Sequence, residues 1–354
     1  MPAPYRRSRS GDEGVPGRRG REFDWGVQRT PPVLFGCDGV SANPPMEDET
    51  VARILLQTTI VDTPDDWNVG RFSLLADELR RADHDVTTRN RDAGEIDSTL
   101  SALDTLDYDQ LWLMAVDTGD GLSPQDAAGI MRFRGRGGGI LTARDHQDLG
   151  SGLLRLGSIG RINHFHEQNP EPDGRRDDQD TPTISWPNYH SGSNGDYQPV
   201  LATEPTHELL QTTQTPSGRI EWFPAHPHEG AVSAPADVPA ARVIACGRST
   251  VTGRMFNLAV CLDGETTPDG RRLGRVVACS TFHHFADMNW DTDAGAPSFV
   301  TEPPSDEIKR DPSRLAIFKD HVHNIARWLA AGTDNADERA TTSDATAAGV
   351  AASR

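Results

Sequence analysis

The sequence is poor in the residues that build covalent cross-links and membrane spans. Only four cysteines occur among 354 residues and none forms a CxxC pair, which excludes a zinc site held by four thiolates and disfavours a disulfide framework. Every apolar run falls short of the ~18–20 residues that a transmembrane helix needs. No apolar segment follows Arg6 and Arg7, so no secretory signal is predicted. We expect a cytoplasmic protein without a membrane partner.

Lysine is also scarce, and the chain is strongly acidic. Lys309 and Lys319 are the only lysines, and 35 basic residues face 53 acidic ones, for a net charge of −18. Because nucleic-acid backbones are bound by clustered Lys and Arg, we do not expect a nucleic-acid partner. Residues 1–30 and 333–354 lack hydrophobic periodicity and are predicted to be a disordered arm and a disordered tail.

Between these tails, over 31–332, apolar runs of strand length alternate with amphipathic segments. The predicted strands are 52–60, 85–89, 110–116, 140–143, 219–223, 242–246, 255–262 and 275–281, and the predicted helices are 71–82, 124–134 and 313–329. Ser123, Pro124 and Asp126 supply an N-cap and a first turn. This rhythm predicts one α/β domain with a mostly parallel sheet covered on both faces. Residues 168–200, which are polar and rich in Pro and Gly, are expected to form an irregular excursion.

Titratable side chains follow the carboxyl ends of several predicted strands, which is where open parallel sheets bind ligands. Seven of the 12 histidines fall in four such segments, so we expect a site there rather than isolated surface histidines. The candidate catalytic residues are Asp145, His146, His283 and His284. The candidate substrate-binding residues are Asp117, Arg144, His164, His166, His226, His228, Glu229 and Asp287. We further predict that Asp145, His146, His228 and His283 share one cavity, because they come from different strand ends.

These residues suit two kinds of chemistry. Histidine titrates near neutrality and a nearby Asp can set its tautomer, so we expect acid–base work without a cofactor. The alternative is a divalent metal, which would take His226, His228, Glu229 and His283, although no HExxH-type spacing occurs. Other histidines have no predicted role at the site: His84, His190 and His207 are expected at the surface, and His321 and His323 to be structural.

Several segments resemble a known family. The path from DYDQLWLM to RGGGILTARDHQDLG, and the later GRVVACSTFHHF before a helix ending in IARWLA, resemble the ThuA-like (trehalose-utilisation-like) branch of the class I glutamine amidotransferase-like superfamily over roughly 50–330. The resemblance implies a flavodoxin-like three-layer sandwich and a link to carbohydrate metabolism. It places His146, and His283 or His284, at the positions where that branch carries histidines at two strand ends.

The chain departs from true glutamine amidotransferases at the nucleophile. Those enzymes need a Cys after the equivalent strand, where this sequence has Thr142-Ala143-Arg144-Asp145-His146, so glutaminase activity is not expected. Cys246, Cys261 and Cys279 lie in apolar runs and are expected to be buried in strands. The predicted function is an enzyme of hydrolase or lyase type that uses His and Asp on a small polar, carbohydrate-derived substrate. The alternative is a non-catalytic ligand-binding or scaffold protein, and a homo-oligomer is compatible with either.

Overall fold

A computed structural model describes residues 51–168 and 184–331 of the chain. The arm predicted over 1–30, the tail predicted over 333–354, Cys37 and residues 169–183 of the predicted excursion lie outside the described residues, so the predicted limits of the domain stay a prediction. Within the described residues, no helix is both long enough and apolar enough to cross a membrane.

Twelve strands and six α-helices make up the regular structure of the described residues. The strands are β1 (Arg53–Thr58), β2 (Asp85–Arg89), β3 (Gln110–Met114), β4 (Gly139–Ala143), β5 (Asn163–His164), β6 (Tyr197–Pro199), β7 (Leu201–Ala202), β8 (Trp222–Pro224), β9 (Ala231–Val232), β10 (Ala241–Arg248), β11 (Met255–Leu262) and β12 (Val276–Cys279). The helices are α1 (Ser73–Arg81), α2 (Ser98–Ser101), α3 (Pro124–Gly135), α4 (Ser158–Arg161), α5 (Glu307–Arg310) and α6 (Pro312–Ala330).

Eight strands form the central sheet, in the order β2-β1-β3-β4-β12-β11-β10-β7. The pairs from β2 to β12 are parallel, and the pairs from β12 to β7 are antiparallel. Every residue of β3, β4 and β12 is buried, as expected for strands covered on both faces. The α/β class with a mostly parallel sheet is confirmed, and β10 and β11 form an antiparallel pair.

Helices cover both faces of this sheet. In β1, Ile54 and Leu56 belong to one apolar cluster and Leu55 to another, because successive side chains of a strand point to opposite faces. The first cluster includes Leu79 of α1 and four residues of the predicted apolar face of α6 (Phe318, Val322, Ile325 and Leu329). The second includes Leu100 of α2 and Phe133 of α3. The result is the three-layer arrangement that was predicted.

Local details both confirm and correct the sequence predictions. Ser123 and Asp126 form a capping box at the start of α3, with Pro124 in its first turn, as predicted. His84 is buried rather than at the surface, and its Nδ1 accepts the backbone N–H of Ala52 over 3.2 Å. Cys246 is only partly buried, because its strand β10 lies near the sheet edge, whereas Cys261 and Cys279 are buried as predicted.

The strand ends also differ from prediction where they approach the site. The strand predicted over 275–281 ends at Cys279, and the chain turns after Thr281 into a 3-10 helix, Phe282–Phe285. The strand predicted over 219–223 is shifted to Trp222–Pro224 and pairs with β6 in a separate two-stranded sheet. These two changes decide how the histidines after β8 and β12 are presented.

Candidate functional site

Two neighbouring strands of the sheet place Asp145 beside His283. β4 and β12 are parallel, and Ala143 pairs with Cys279 at their carboxyl ends. Thr281 joins the segments that follow, because its Oγ1 donates to Asp145 Oδ1 over 2.7 Å and accepts the backbone N–H of His283 over 3.1 Å. One hydroxyl therefore fixes the carboxylate and the start of the 3-10 helix together.

A third segment, the loop after β8, brings His226 to the same place. The backbone N–H of His226 donates to Ser191 Oγ over 2.9 Å. Gly230 closes the loop, and its N–H donates to the carbonyl of Ser280 over 3.2 Å. A Cβ at Gly230 would lie 2.4 Å from the carbonyl oxygen of Asp145 and 2.5 Å from that of Ser280, so only glycine allows this close packing.

The Asp145 carboxylate stands at the centre of three imidazoles. The Nε2 atoms of His146 and His283 lie 3.5 Å from Oδ2, and the Nε2 atom of His226 lies 3.5 Å from Oδ1. These distances exceed the 2.7–3.2 Å typical of N–H···O hydrogen bonds. The side chain of Asp145 is 1% exposed and that of His146 is 21% exposed, so His146 is the member nearest to solvent. We call Asp145, His146, His226 and His283 the Asp145 cluster.

Burial and charge set the protonation of this cluster. Burial alone would raise the pKa of Asp145, but the surrounding histidines hold that pKa well below its usual value, so the carboxylate is ionised. Burial, followed by the adjacent His283, holds the pKa of His226 well below its usual value. Burial also lowers the pKa of His146, with Asp145 opposing it. The cluster therefore holds an ionised carboxylate, and burial disfavours the charged forms of His226 and His146 beside it.

Aromatic packing orients the ring of His283. The rings of His226 and His283 stack with centroids 3.6 Å apart and planes 11° from parallel. The other neighbours of the His283 ring are Phe282, stacked at 4.5 Å, and the edge of Trp67, also at 4.5 Å. Stacking aligns the two imidazoles so that both Nε2 atoms lie near the same carboxylate.

His228 lies next to the cluster but faces another carboxylate. Its ring centroid is 5.6 Å from the rings of both His146 and His226. Its Nδ1 lies 3.0 Å from Asn188 Oδ1, and its Nε2 lies 3.3 Å from Glu302 Oε1. The structure thus brings His228 to the cluster's edge, with Glu302 as its partner instead of Asp145.

A second buried group, which we call the Glu229 cluster, holds two other predicted residues. His284 Nε2 lies 3.1 Å from Glu229 Oε1, and that oxygen also accepts hydrogen bonds from Gln198 and Ser191. Ser280 Oγ donates to Glu229 Oε2 over 2.7 Å. Both residues of the His284–Glu229 pair are at most 1% exposed. The structure thus joins His284 and Glu229 to each other, outside the Asp145 cluster, and the catalytic role of His284 and the ligand role of Glu229 stay predictions.

Arg144 was expected to bind substrate, but its guanidinium is used inside the protein. Arg144 is fully buried and donates to backbone carbonyls, among them those of His164, Gln147 and Leu149. Its guanidinium also lies 4.1 Å from the ring centroid of Phe165. Burial lowers the pKa of Arg144 to about 9, with Asp145 opposing the shift. Arg144 therefore positions the loop that carries Asp145.

The remaining predicted residues lie outside the cluster. Asp287 caps α1, because its carboxylate accepts the backbone N–H groups of Ser73 and Leu74, and its burial raises its pKa. Asp117 is buried and accepts two backbone N–H groups, those of Gly119 and Gly152. His164 ends β5 with its Nε2 2.7 Å from Ser233 Oγ, and His166 is partly buried in the turn that follows. Asp287 and Asp117 thus stabilise backbone turns.

None of the cysteines in the described residues offers a reactive thiolate at the site. Cys246, Cys261 and Cys279 lie within β10, β11 and β12. Burial raises the pKa of all three thiols, that of Cys261 to about 11. Among the described residues, the titratable groups gathered at the end of β4 are therefore imidazoles and a carboxylate, without a thiolate.

Several residues around the cluster were missed by the sequence analysis. Thr281 orients Asp145, Trp67 and Phe282 pack on His283, and Asn188, Asn194 and Glu302 contact the histidines. Only Thr281 carried a usable signal, because it is the last residue of the strand predicted before His283. The asparagines come from the segment expected to be an irregular excursion, where no periodicity indicates which side chain turns inward.

Comparison with known proteins gives similarity in structure alone, since no protein-family model and no curated protein matches the chain. The chain is similar to a ThuA-like protein of Parabacteroides merdae (TM-score 0.42, 14% identity, 80% of this chain and 91% of that one). It is also similar to the glutaminase domain of CTPS from Trypanosoma brucei, solved with bound acivicin (TM-score 0.39, 13% identity, 76% and 93%). A further match is a cytoplasmic protein of Salmonella typhimurium (TM-score 0.36, 11% identity, 67% and 96%). The structures that the chain resembles thus include a ThuA-like protein and a glutaminase domain, and at these scores the likeness carries no argument.

Proposed function

We propose that the chain is an enzyme, and that the Asp145 cluster is its catalytic centre for a small polar substrate. The observation that carries this proposal is the convergence of three imidazole Nε2 atoms on one buried carboxylate, each at 3.5 Å. The three histidines come from three separate segments, after β4, β8 and β12. Folding alone does not favour this arrangement, because the arrangement leaves buried polar atoms without normal hydrogen bonds.

The unsatisfied atoms support a functional role over a structural one. Among the described residues, His226 Nε2, His146 Nδ1 and His283 Nδ1 are buried without a hydrogen-bond partner. Each such atom costs about 1–3 kcal/mol of folding free energy. The carboxylates differ next to them: both oxygens of Glu229 accept hydrogen bonds at normal distance, although His284 Nδ1 and Gln198 Oε1 are also buried without a partner there, whereas the three imidazoles stay 3.5 Å from Asp145. Groups that are left open in this way are available to a ligand.

The exposure of the cluster limits its substrate. Asp145, His226 and His283 are 1%, 3% and 4% exposed, and His146 is 21% exposed. A small molecule, or the tip of one, therefore meets His146 first, which makes His146 the proton donor or acceptor and Asp145 its partner. The reaction is of hydrolase or lyase type. The family resemblance adds a carbohydrate-derived substrate and a place in carbohydrate metabolism to the proposal.

A turnover screen tests the proposal. Purified protein is incubated with pools of sugars, sugar acids and sugar amides, binding is detected by thermal shift, and products are detected by mass spectrometry. We expect at least one compound to be converted by the parent protein and not by Asp145→Asn. Binding without conversion in every pool would favour the alternative, a non-catalytic ligand-binding protein. The absence of both binding and conversion would contradict the proposal.

A further inference from the structure

We propose that Asp145, His226 and His283 bind one divalent transition metal ion. One oxygen of Asp145 and one nitrogen from each histidine all lie within 4.8 Å of one another, and all three residues are buried. Two imidazoles and one carboxylate are the protein ligands of many catalytic zinc sites and of non-haem iron(II) sites. This inference rests on the proposed function only where it gives the ion a role in the reaction. Binding of the ion itself is measurable without a substrate.

The separations fit metal ligands better than hydrogen-bond partners. The Nε2 atoms of His226 and His283 are each 3.5 Å from an Asp145 oxygen. Ligands bonded tetrahedrally to zinc at about 2.1 Å lie about 3.4 Å apart, whereas a hydrogen bond would draw the same atoms to about 2.9 Å. His226 approaches Oδ1 and His283 approaches Oδ2, and the three ligand atoms lie within 4.8 Å of one another, so small side-chain shifts would place all three around one ion.

A chain of amide groups prepares His226 to be a ligand. Asn289 is fixed because its Oδ1 accepts the N–H of Gly195 and its Nδ2 donates to the carbonyl of His283 and to Asn194 Oδ1. Asn194 Oδ1, which can only accept, lies 3.0 Å from His226 Nδ1. His226 must therefore carry its proton on Nδ1.

That tautomer leaves the lone pair of His226 Nε2 directed at Asp145. Hydrogen bonding of the second ring nitrogen is how proteins orient histidines that bind metals. Within the described residues, the same Nε2 atom is buried without a hydrogen-bond partner, so a metal ion would be its partner.

The proposed ligand set differs from the one that the sequence suggested. His226 and His283 are retained, Asp145 is added, and Glu229 is removed because Ser280, Ser191 and Gln198 already donate to its oxygens. His228 is removed because its Nε2 faces Glu302. The metal-free expectation rested on the lack of a ligand spacing in the sequence, and three ligands from three separate segments produce no such spacing.

Calorimetry with the full chain tests the site. Protein dialysed against chelator is titrated with Zn²⁺, Fe²⁺ and Co²⁺, and the Co²⁺ complex is also followed by its visible absorption. We expect one equivalent of at least one ion, and an affinity at least tenfold lower in Asp145→Asn and in His226→Ala. His228→Gln is the matched control, an adjacent histidine that should keep affinity within about threefold.

The outcomes separate this inference from the proposed function. If the parent binds none of the three ions, or if both ligand variants keep the parent's affinity, the metal site is wrong. Should His226→Ala fail to fold, as judged by circular dichroism, His283→Gln takes its place. Turnover by metal-free protein would show that the reaction does not use the ion, and the proposed function would stand. If the protein binds an ion and converts no substrate, the metal site stands and the proposed function is contradicted.

Discussion

Two buried clusters of histidine and carboxylate lie side by side in this protein, and they are built differently. In the Glu229 cluster, donors lie at hydrogen-bond distance from both oxygens, with His284 at 3.1 Å and Ser280 at 2.7 Å. In the Asp145 cluster, the three histidines remain at 3.5 Å, and Thr281 alone donates at a short distance. Histidine and carboxylate are common to both, so residue type does not distinguish them.

The two carboxylates differ in how many hydrogen bonds of normal length their oxygens accept. A carboxylate whose oxygens are filled by hydroxyl, amide and imidazole groups stabilises the fold and has little capacity for a ligand. A carboxylate surrounded by rings at longer distance contributes less to folding and retains that capacity. The comparison therefore predicts that Glu229 contributes to stability and that Asp145 serves the proposed reaction, and mutation tests each prediction.

Replacing Glu229 should give the largest loss of stability. Glu229→Ala leaves His284, Ser280, Ser191 and Gln198 buried without their acceptor, and breaking a buried pair of this kind costs about 3–5 kcal/mol. Urea unfolding followed by circular dichroism measures the change in free energy. Glu95→Ala, at an exposed position, is the control and should stay within about 0.5 kcal/mol. A loss for Glu229→Ala below about 1 kcal/mol would contradict the structural role.

Replacing His146 should affect turnover instead of stability. Because His146 is the cluster member nearest to solvent, His146→Ala should lower kcat at least about 100-fold, as the loss of an acid–base group does. His284→Ala should destabilise the protein while the folded fraction keeps its turnover. His323→Ala, on α6 and outside both clusters, is the control for kcat and should keep the parent's value. Equal loss of kcat in the His146 and His284 variants would erase the distinction between the clusters.

A third buried histidine, paired with a backbone carbonyl, extends the comparison to the pH dependence of stability. His321 Nδ1 donates to the carbonyl of Leu209 over 2.8 Å, and burial lowers the pKa of His321 to about 4, with His284 and His207 adding to the shift. The unfolded chain has a histidine pKa of about 6.5. The unfolded state therefore takes up a proton first as pH falls, so this contribution to stability is full above about pH 6.5 and is lost towards pH 4.

The size of that effect can be measured by unfolding at two pH values. Between pH 7 and pH 5, His321 should account for about 2 kcal/mol of lost stability. His321→Gln keeps a side-chain N–H donor and cannot titrate, so its stability should fall by that much less than the parent's over the same range. Parallel pH profiles for the parent and the variant would contradict the low pKa of His321.

The sequence predicted the central sheet well because its strands carry strong local patterns. The bounds of β2 and β11 match the prediction, and β4 differs by one residue. Once adjacent parallel strands are known, the meeting of Asp145 with His283 follows from topology, since their strands end at the same edge. That part of the site was accessible to sequence reasoning.

Other parts depend on contacts that the sequence does not display. His283 and His284 are neighbours on one 3-10 helix, yet one joins the Asp145 cluster and the other joins Glu229. His226 lies in the loop after β8, a strand of a separate small sheet, and contacts of Ser191 and Gly230 hold that loop in place. Long-range packing decides these orientations, and no local period encodes it.

The smallest expected effect concerns the short hydrogen bond that Thr281 donates to the Asp145 carboxylate. Thr281→Val keeps the shape of the side chain but removes the hydroxyl that donates to Asp145 Oδ1 over 2.7 Å and accepts the N–H of His283 over 3.1 Å. We expect a loss of about 1–2 kcal/mol in stability, because two hydrogen bonds are lost, and about tenfold in metal affinity, because Asp145 loses its orientation. Thr281→Ser, which retains the hydroxyl, should recover the metal affinity. If valine lowers stability while metal affinity stays at the parent's value, Thr281 supports the fold without positioning the carboxylate, and the Asp145 cluster would owe its geometry to ring packing alone.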